Sequence, residues 1–241
     1  MEIGFYILLV LVAFLYSSVG HGGASGYLAL MAIFSFAPET MRPTALILNV
    51  FVSLVAFIQY YRGGHFVWKL FWPFALASVP MAYFGGMITL DALLYKKILG
   101  VLLLLSVIRL VWVKMPSKDH LRKLNIPFAL NIGGSIGLFS GMIGIGGGII
   151  LSPVILLMHW ADMKQTAAIS ALFIFVNSIA SLVGLFQKGI VFTDQMGLML
   201  FLAFAGGLAG AYYGAVKLNS KVLRYVLAAV LVMASVKLFT L

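Results

Sequence analysis

Long apolar segments follow one another along almost the whole chain, separated only by short basic connectors. Hydrophobic residues make up 63% of the 241 residues and charged residues only 9%, with a mean hydropathy of +1.12. A water-soluble domain of this length needs a more polar surface, whereas a helix needs roughly 20 apolar residues to cross a bilayer. The sequence therefore predicts an all-α polytopic membrane protein with no soluble domain.

The basic residues indicate how the chain is oriented in the membrane. The chain has sixteen Lys and Arg and six acidic residues, a net charge of +10. Because these cations lie mostly at predicted helix ends and in short loops, we interpret them as setting the orientation in the membrane by the positive-inside rule and not as a nucleic-acid-binding surface. Ten fall on one predicted side and five on the other, and Arg109 lies near a helix end. We therefore predict a multi-pass membrane protein with linker 114–125 in the cytoplasm and both termini outside. The larger set is Arg62, Lys69, Lys114, Lys118, Arg122, Lys123, Lys164, Lys217, Lys221 and Arg224, and the smaller set is Arg42, Lys96, Lys97, Lys188 and Lys237.

The two halves of the chain repeat one another. Residues 49–59 align without gaps on residues 177–187 at an offset of 128, with shared Asn, Ser and Gln, and two glycine-rich runs align at an offset of 124. Each half is predicted to hold a helix, a glycine-rich break, a second apolar segment and three long helices. These segments are 3–19, 26–36, 44–60, 70–88 and 92–113 in the first half, and 127–142, 149–158, 166–187, 195–216 and 221–240 in the second.

Related halves with an odd number of crossings must face opposite sides of the membrane. Whether the segments flanking each glycine run cross fully or re-enter, each pair contributes an even number of crossings, and three long helices follow. The sequence therefore predicts two inverted-topology repeats, each with a glycine-broken helix pair plus three transmembrane helices. Residues 1–113 form the first repeat and 126–241 the second, joined by linker 114–125 in one integral membrane domain.

The two glycine-rich breaks are the first candidates for a binding site. Non-helical backbone at membrane depth is tolerated only where protein or water surrounds it. A helix follows each break, so amide N–H groups and the positive end of a helix dipole would point at an anion there. The alternative is close helix packing through small residues. The candidate residues are Gly20, His21, Gly22, Gly23 and Ser25 in the first break, and Gly144, Gly146, Gly147 and Gly148 in the second.

Neutral hydrogen-bonding side chains on the next helix are the second group of candidates. Asn49 and Ser53 share one helix face by their four-residue spacing, and so do Asn177 and Ser181. Thr44 and Ser170 lie a turn or two earlier in their helices. We predict that Asn49, Ser53, Ser170, Asn177 and Ser181 line the same cavity as the breaks and complete the hydrogen-bond shell of an oxyanion. Ordinary interhelical hydrogen bonding is the alternative.

The acidic residues argue against an enzyme. All six fall at the termini or at predicted helix ends, so no carboxylate pair is available for acid–base catalysis and no His/Asp/Glu cluster for a catalytic metal. We therefore expect no catalytic residues, metal or cofactor. His21 is the one strong titratable candidate inside the membrane; a lone histidine is more often structural than a switch, but this one lies in the candidate site itself.

The second glycine run carries a resemblance to a known family. The pattern Gly144-Ile-Gly-Gly-Gly-Ile-Ile-Leu-Ser-Pro153 after an apolar helix, doubled along the chain, resembles the sulfite exporter TauE/SafE family. The first run departs from it at His21 and Ala24. The resemblance implies a bacterial inner-membrane transporter that exports small sulfur-containing anions such as sulfite, sulfoacetate or related organosulfonates. Its partners would be that anion and the lipid bilayer, without nucleic acid, and a homodimer stays open.

Three classes of function compete on the sequence alone: an exporter, another route for anions, and a protein without a transported substrate. The leading hypothesis is export by potential-driven uniport, because the chain lacks the intramembrane carboxylates that normally hold Na⁺ or relay protons. A channel-like passive anion pore or an uptake permease for another small anion is the alternative. A membrane scaffold without a substrate is the third, and the lack of a sizeable loop for partners argues against it.

Overall fold

The computed structural model describes residues 3–112, 121–190 and 193–216, together with Val232 and Val236. The ordered elements in these ranges are α helices, and five of them (α3, α4, α6, α8 and α9) are long and apolar enough to cross a membrane. The predicted all-helical polytopic fold is confirmed, while the predicted helix 221–240 lies outside the described residues except for those two valines. The helices are α1 Ile3–Ser17, α2 Ala24–Ile33, α3 Pro38–Arg62, α4 Trp68–Met87, α5 Ala92–Trp112, α6 Ile126–Ile143, α7 Gly148–Leu157, α8 Met163–Phe186 and α9 Gln195–Val216.

The short helices α2 and α7 fold back along the helices that precede them. Each has ten residues, about 15 Å of helix, which is half of the ~30 Å hydrocarbon layer. Phe5 at the start of α1 stacks on Phe36 just after α2, with ring centroids 5.2 Å apart. In the second half Phe128 near the start of α6 lies 6.0 Å from Trp160 just after α7. Each glycine-rich break is therefore the tip of a helical hairpin whose two ends lie together.

Two pairs of helices pack backbone to backbone through glycines spaced four residues apart. Gly133, Gly137 and Gly141 of α6 lie against the backbone of Phe74, Ser78 and Ala82 of α4. Gly206, Gly210 and Gly214 of α9 lie against the backbone of Val10 and Phe14 of α1 and of Ser18 directly after it. Both series rise together along the chain, so each pair of helices is parallel. Small residues permit this approach because no Cβ stands between the backbones.

Helices α3 and α8 form the centre of the bundle. In their apolar windows 61% of residues are buried, against 39% in α4, α6 and α9. Near the middle of both helices the Asn49 amide Nδ2 donates to Ser178 Oγ at 3.4 Å, while Tyr60 near the end of α3 shares a buried cluster with Ala167 near the start of α8. The two helices are therefore antiparallel. The candidate site lies between them.

The starts of α3 and α8 lie earlier than the sequence predicted, at Pro38 and Met163 instead of residues 44 and 166. Pro38 occupies the first turn of α3, where its missing N–H is not needed, and the helix continues through Pro43. Asp162 caps α8: its carboxylate accepts from the Gln165 N–H at 2.9 Å, and the Gln165 side chain accepts from the Asp162 N–H at 3.1 Å. This reciprocal capping box adds a turn to α8.

Removing the cap of α8 should cost stability. Asp162→Ala leaves the Gln165 N–H without its acceptor and is expected to lower the free energy of unfolding by about 1 kcal/mol. Asn131→Ala is the matched control, because the Asn131 amide is exposed and bonds only to Pro127 in its own helix. Thermal unfolding of the detergent-solubilised variants measures the difference. Equal midpoints for the two variants would contradict the capping role.

Candidate functional site

The two breaks meet at the same two side chains. An ideal Cβ built on Gly22 would collide with Asn49 Oδ1 and lie 2.9 Å from Ile174 Cγ2. One built on Gly146 would lie 2.8 Å from Asn49 Nδ2 and 2.9 Å from Ile174 Cγ2. Asn49 and Ile174 lie near the middle of α3 and α8. The structure thus brings the tips of both hairpins together halfway along the central helices.

The backbone of the breaks requires glycine. Gly23 and Gly147 cap α2 and α7 with φ of 97° and 80° and without a side-chain cap, and Gly20, Gly144 and Gly146 also have positive φ. Only glycine adopts this conformation without strain. The Ala24 N–H in the first turn of α2 donates to Asn49 Oδ1 at 3.0 Å. The positive ends of two short helices are therefore held next to the place where the breaks meet.

A chain of hydrogen bonds joins the first break to the second half of the molecule. His21 Nε2 lies 3.0 Å from Ser152 Oγ on α7, which lies 2.7 Å from Ser170 Oγ on α8. His21 Nδ1 lies 3.0 Å from the Val19 carbonyl oxygen. Since a carbonyl only accepts, the hydrogen of this bond lies on Nδ1. Ser152 Oγ also donates to the Gly148 carbonyl of its own helix at 2.8 Å. These groups are buried, with His21 6% and Ser152 1% exposed.

Several of the predicted residues bond to their own helix instead of to a break. Ser53 Oγ donates to the Asn49 carbonyl at 2.5 Å, and Ser181 Oγ to the Asn177 carbonyl at 2.6 Å. Asn177 Nδ2 donates to the Phe173 carbonyl at 2.8 Å. Ser25, in the first turn of α2, differs from these residues because it donates to Tyr16 Oη of the neighbouring α1 at 2.7 Å. All are buried, but the bonds that link different segments at the centre come from three other predicted side chains, Asn49, His21 and Ser170.

Two contacts of the glycines relate the halves at a smaller offset than the sequence alignment of residues 49–59 on 177–187. A Cβ on Gly20 would collide with Ala167, and a Cβ on Gly144 would lie 2.9 Å from Arg42 Cγ. If these two contacts correspond, the glycines are related by an offset of 124 and their partners by 125, whereas the sequence alignment has an offset of 128. Three residues turn a helix by about 300°, so an alignment can slip by a turn and still match a similar face.

The candidate site is asymmetric. At an offset of 125 Asn49 corresponds to Ile174, and at an offset of 124 His21 corresponds to Ile145. The first half therefore contributes polar side chains where the second half contributes isoleucines. The polar side chains that the second half places at the site are Ser152 of α7 and Ser170 and Ser178 of α8.

The sequence reasoning missed three residues. Ser152 stands beside Pro153 within the quoted motif, four residues after Gly148 on the same helix face, and this spacing could have identified it. Ser178 follows Asn177 directly and receives the hydrogen bond from Asn49. Arg42 was used only to predict orientation. Arg42 can be buried because carbonyl groups of two other helices accept its hydrogen bonds, and the residues around Arg42 in the sequence do not reveal these partners.

Arg42 binds the carboxyl ends of α4 and α6. Its Nη1 donates to the Ile88 carbonyl at 2.8 Å, and its Nη2 lies 2.9 Å from the Gly85 and 2.8 Å from the Gly86 and Gly141 carbonyl oxygens. Its side chain is only 7% exposed. The guanidinium therefore compensates the negative ends of two helix dipoles next to the second break.

Comparisons with known proteins agree with this architecture. The family model described as "Sulfite exporter TauE/SafE" matches residues 5–238. "Probable membrane transporter protein y4hK" of Sinorhizobium fredii is 35% identical over 246 aligned positions, covering 98% of this chain and 97% of that protein. "Probable membrane transporter protein MJ0441" of Methanocaldococcus jannaschii is 27% identical over 195 positions, covering 73% and 70%. No solved structure matches the chain. The chain is a membrane transporter that belongs to the sulfite exporter TauE/SafE family.

Proposed function

We propose that this transporter exports small sulfur-containing anions, such as sulfite, sulfoacetate or related organosulfonates, across a bacterial inner membrane. The observation that carries the proposal is the convergence of both glycine breaks on Asn49 in a chain of this family. Amide N–H groups, hydroxyls and helix dipoles suit a small oxyanion because they bind negative charge without a fixed cation that would retain it.

The proposed architecture is a pair of inverted repeats, residues 1–113 and 126–241, around a cytoplasmic linker, with both termini outside. Contacts that recur at offsets of 124 and 125 support it. So does the antiparallel arrangement of the counterparts α3 and α8, because related helices that run in opposite directions belong to halves of opposite orientation. In each repeat the hairpin would enter and leave the membrane on one side.

Burial of the site favours a transporter over an open pore. Asn49 and Ser170 are fully buried, and His21 is 6% exposed. An anion can reach these groups only if helices move apart, whereas a passive pore needs a continuous wet path. We therefore propose alternating access, with the hairpins moving against α3 and α8. Single-channel currents in a planar bilayer would contradict this mechanism.

The proposed energy source is the membrane potential. An interior-negative potential drives a monoanion outward by about 2.3 kcal/mol per 100 mV, which is roughly a fiftyfold concentration ratio. The six acids lie at predicted helix ends or termini, away from the central site, which argues against a Na⁺ site or a carboxylate proton relay. Uniport therefore suffices for export.

Potential-driven uniport predicts how sulfite efflux responds to voltage. In proteoliposomes loaded with sulfite, with the potential clamped by potassium and valinomycin, efflux should rise as the interior becomes more negative. An imposed sodium or pH gradient at constant potential should leave it unchanged. His21→Gln removes the titratable ring and should keep the voltage dependence.

Two results would contradict this mechanism. Efflux that ignores the potential and follows a pH or sodium gradient would exclude uniport. If that pH-driven efflux also disappeared in His21→Ala, the His21 imidazole would be the coupling group. Empty liposomes and the Asn131→Ala variant provide the controls.

A further inference from the structure

A cavity of about 270 Å³ opens beside the start of α3, away from the meeting point of the breaks. Its volume is roughly nine times the ~30 Å³ that one water occupies in the liquid, enough for a small oxyanion with part of its hydration shell. Glu39, Arg42, Thr89, Tyr95 and Lys188 are the polar side chains in its wall. The cavity thus has two cations and one carboxylate, a formal excess of one positive charge.

Arg42 contributes a buried positive charge to the wall of this cavity. The four acceptors of its guanidinium are backbone carbonyl oxygens, so their dipoles stabilise the charge without cancelling it. Its Nε is also buried, and nothing in the described part of the chain accepts a hydrogen bond from it. An anion in the cavity would compensate the positive charge of the Arg42 guanidinium.

The cavity borders the second break directly. A Cβ on Gly144 would lie 2.9 Å from Arg42 Cγ, and Tyr95 Oη donates to the Ile143 carbonyl at 3.0 Å. The same two side chains therefore line the cavity and hold the chain where the break begins. In the other half Ala167 lies against Gly20, so this contact has an alanine where the second break has the Arg42 cation.

We propose that this cavity is a second anion site, a one-sided vestibule that binds a free small oxyanion between the central site and the aqueous phase. The charge distribution of the sequence predicts that this end faces outside. The proposal rests on the proposed transport of anions, for which the vestibule would be the last binding site during export. Its positive charge raises the local concentration of anions over other solutes.

Charge variants of the cavity wall test the vestibule through transport. The measured quantity is the half-saturating sulfite concentration for transport from the side on which Arg42 lies. Lys188→Gln should raise it by about threefold and Glu39→Gln should lower it by about threefold, because each variant changes one charge near the bound anion. Lys97→Gln is the matched control: Lys97 is an exposed lysine of α5 on the same predicted side that does not line the cavity. Arg42 is left intact because it holds α4 and α6 together.

A labelling experiment tests the vestibule without transport. The chain has no cysteine, so Thr89→Cys places a single exposed thiol in the cavity wall and Lys97→Cys places one outside it. The measured quantity is the ratio of the labelling rate by an anionic methanethiosulfonate reagent to that by a cationic one. This ratio should be about threefold higher at the Thr89→Cys thiol than at the Lys97→Cys thiol. Adding Lys188→Gln should reduce this preference, and excess sulfate should slow the labelling of the thiol in the cavity wall.

The outcomes separate the vestibule from the proposed function. Equal reagent preference at both thiols, or charge variants that match Lys97→Gln in a protein that transports sulfite, would overturn the vestibule and leave the proposed function intact. A protein that transports no anion yet shows the preference and the sulfate protection would overturn the proposed function alone. Protection of the Thr89→Cys thiol by phosphatidylglycerol in mixed micelles, but not by sulfate, would assign the cavity to a lipid headgroup and contradict the proposal.

Discussion

Gly137→Ala is expected to destabilise the protein by about 3 kcal/mol, the upper end of the usual cost of overpacking. A Cβ at Gly137 would collide with the Ser78 carbonyl oxygen and lie 2.7 Å from the Ser78 Cα. Both obstacles are backbone atoms of α4, so no side chain can rotate away, and the two helices must separate. The yield of monodisperse protein and the midpoint of thermal unfolding in detergent measure the effect.

Gly134→Ala is the matched control on the same helix. Its Cβ would meet only the side chains of Ala77 and Met81, each at 3.8 Å, which is ordinary van der Waals contact. The same pair of changes exists on α9, where Gly210→Ala would collide with the Phe14 carbonyl and Gly197→Ala would meet nothing within 4 Å. If Gly137→Ala and Gly134→Ala unfold at the same temperature, α4 and α6 do not pack as described.

Asn49→Ala is expected to reduce sulfite transport by about 10- to 100-fold, because loss of a buried hydrogen bond with its partner left unpaired costs about 1–3 kcal/mol. The change leaves the Ala24 N–H without the Asn49 Oδ1 acceptor and removes the only amide that touches both breaks in the described structure. Efflux from proteoliposomes, normalised to folded protein, measures the loss. Asn131→Ala should transport as the wild type does.

Two further variants separate binding from packing. Asn49→Asp keeps the shape and the Oδ1 acceptor, but it replaces the donor with a negative charge and should block an anion at least as strongly as alanine. Asn177→Ala should have a smaller effect than Asn49→Ala, because the Asn177 amide bonds to Phe173 in its own helix. Transport that is retained in Asn49→Asp, or lost equally in Asn177→Ala, would contradict the central role of Asn49.

Much of the helical framework could be predicted from the sequence. The apolar runs predicted α9 at residues 195–216, where the structure has Gln195–Val216, and the glycine runs predicted both breaks. Hydropathy works here because the bilayer imposes one structure on long apolar segments. The start of α3 was wrong by six residues because the apolar pattern begins after Pro43, whereas a proline near a helix start does not prevent the helix.

The geometry of the site was less accessible. Asn49 and the breaks were predicted from residue type, and the structure places them in contact. The spacing of Ser53 and Ser181 could not reveal that their hydroxyls bond to carbonyls of their own helix, an option open to any serine. Both breaks touch Ile174 beside Asn49, whereas the search for matching polar residues selected Asn177, one turn away. Tertiary contacts alone identify such a pair.

The parallel packing of α1 along α9 has a consequence for biosynthesis. Roughly 180 residues separate Ser17 from Gln195, so at 5–20 residues per second the ribosome needs about 10–40 s to supply the partner of α1. The partner of α4 follows after only about 40 residues, within roughly 2–8 s. Helix α1 thus waits much longer for its partner than α4 does. During that interval the backbone at Val10, Phe14 and Ser18 faces lipid instead of the glycines of α9, and a translational arrest before α9 would leave this surface open to membrane proteases.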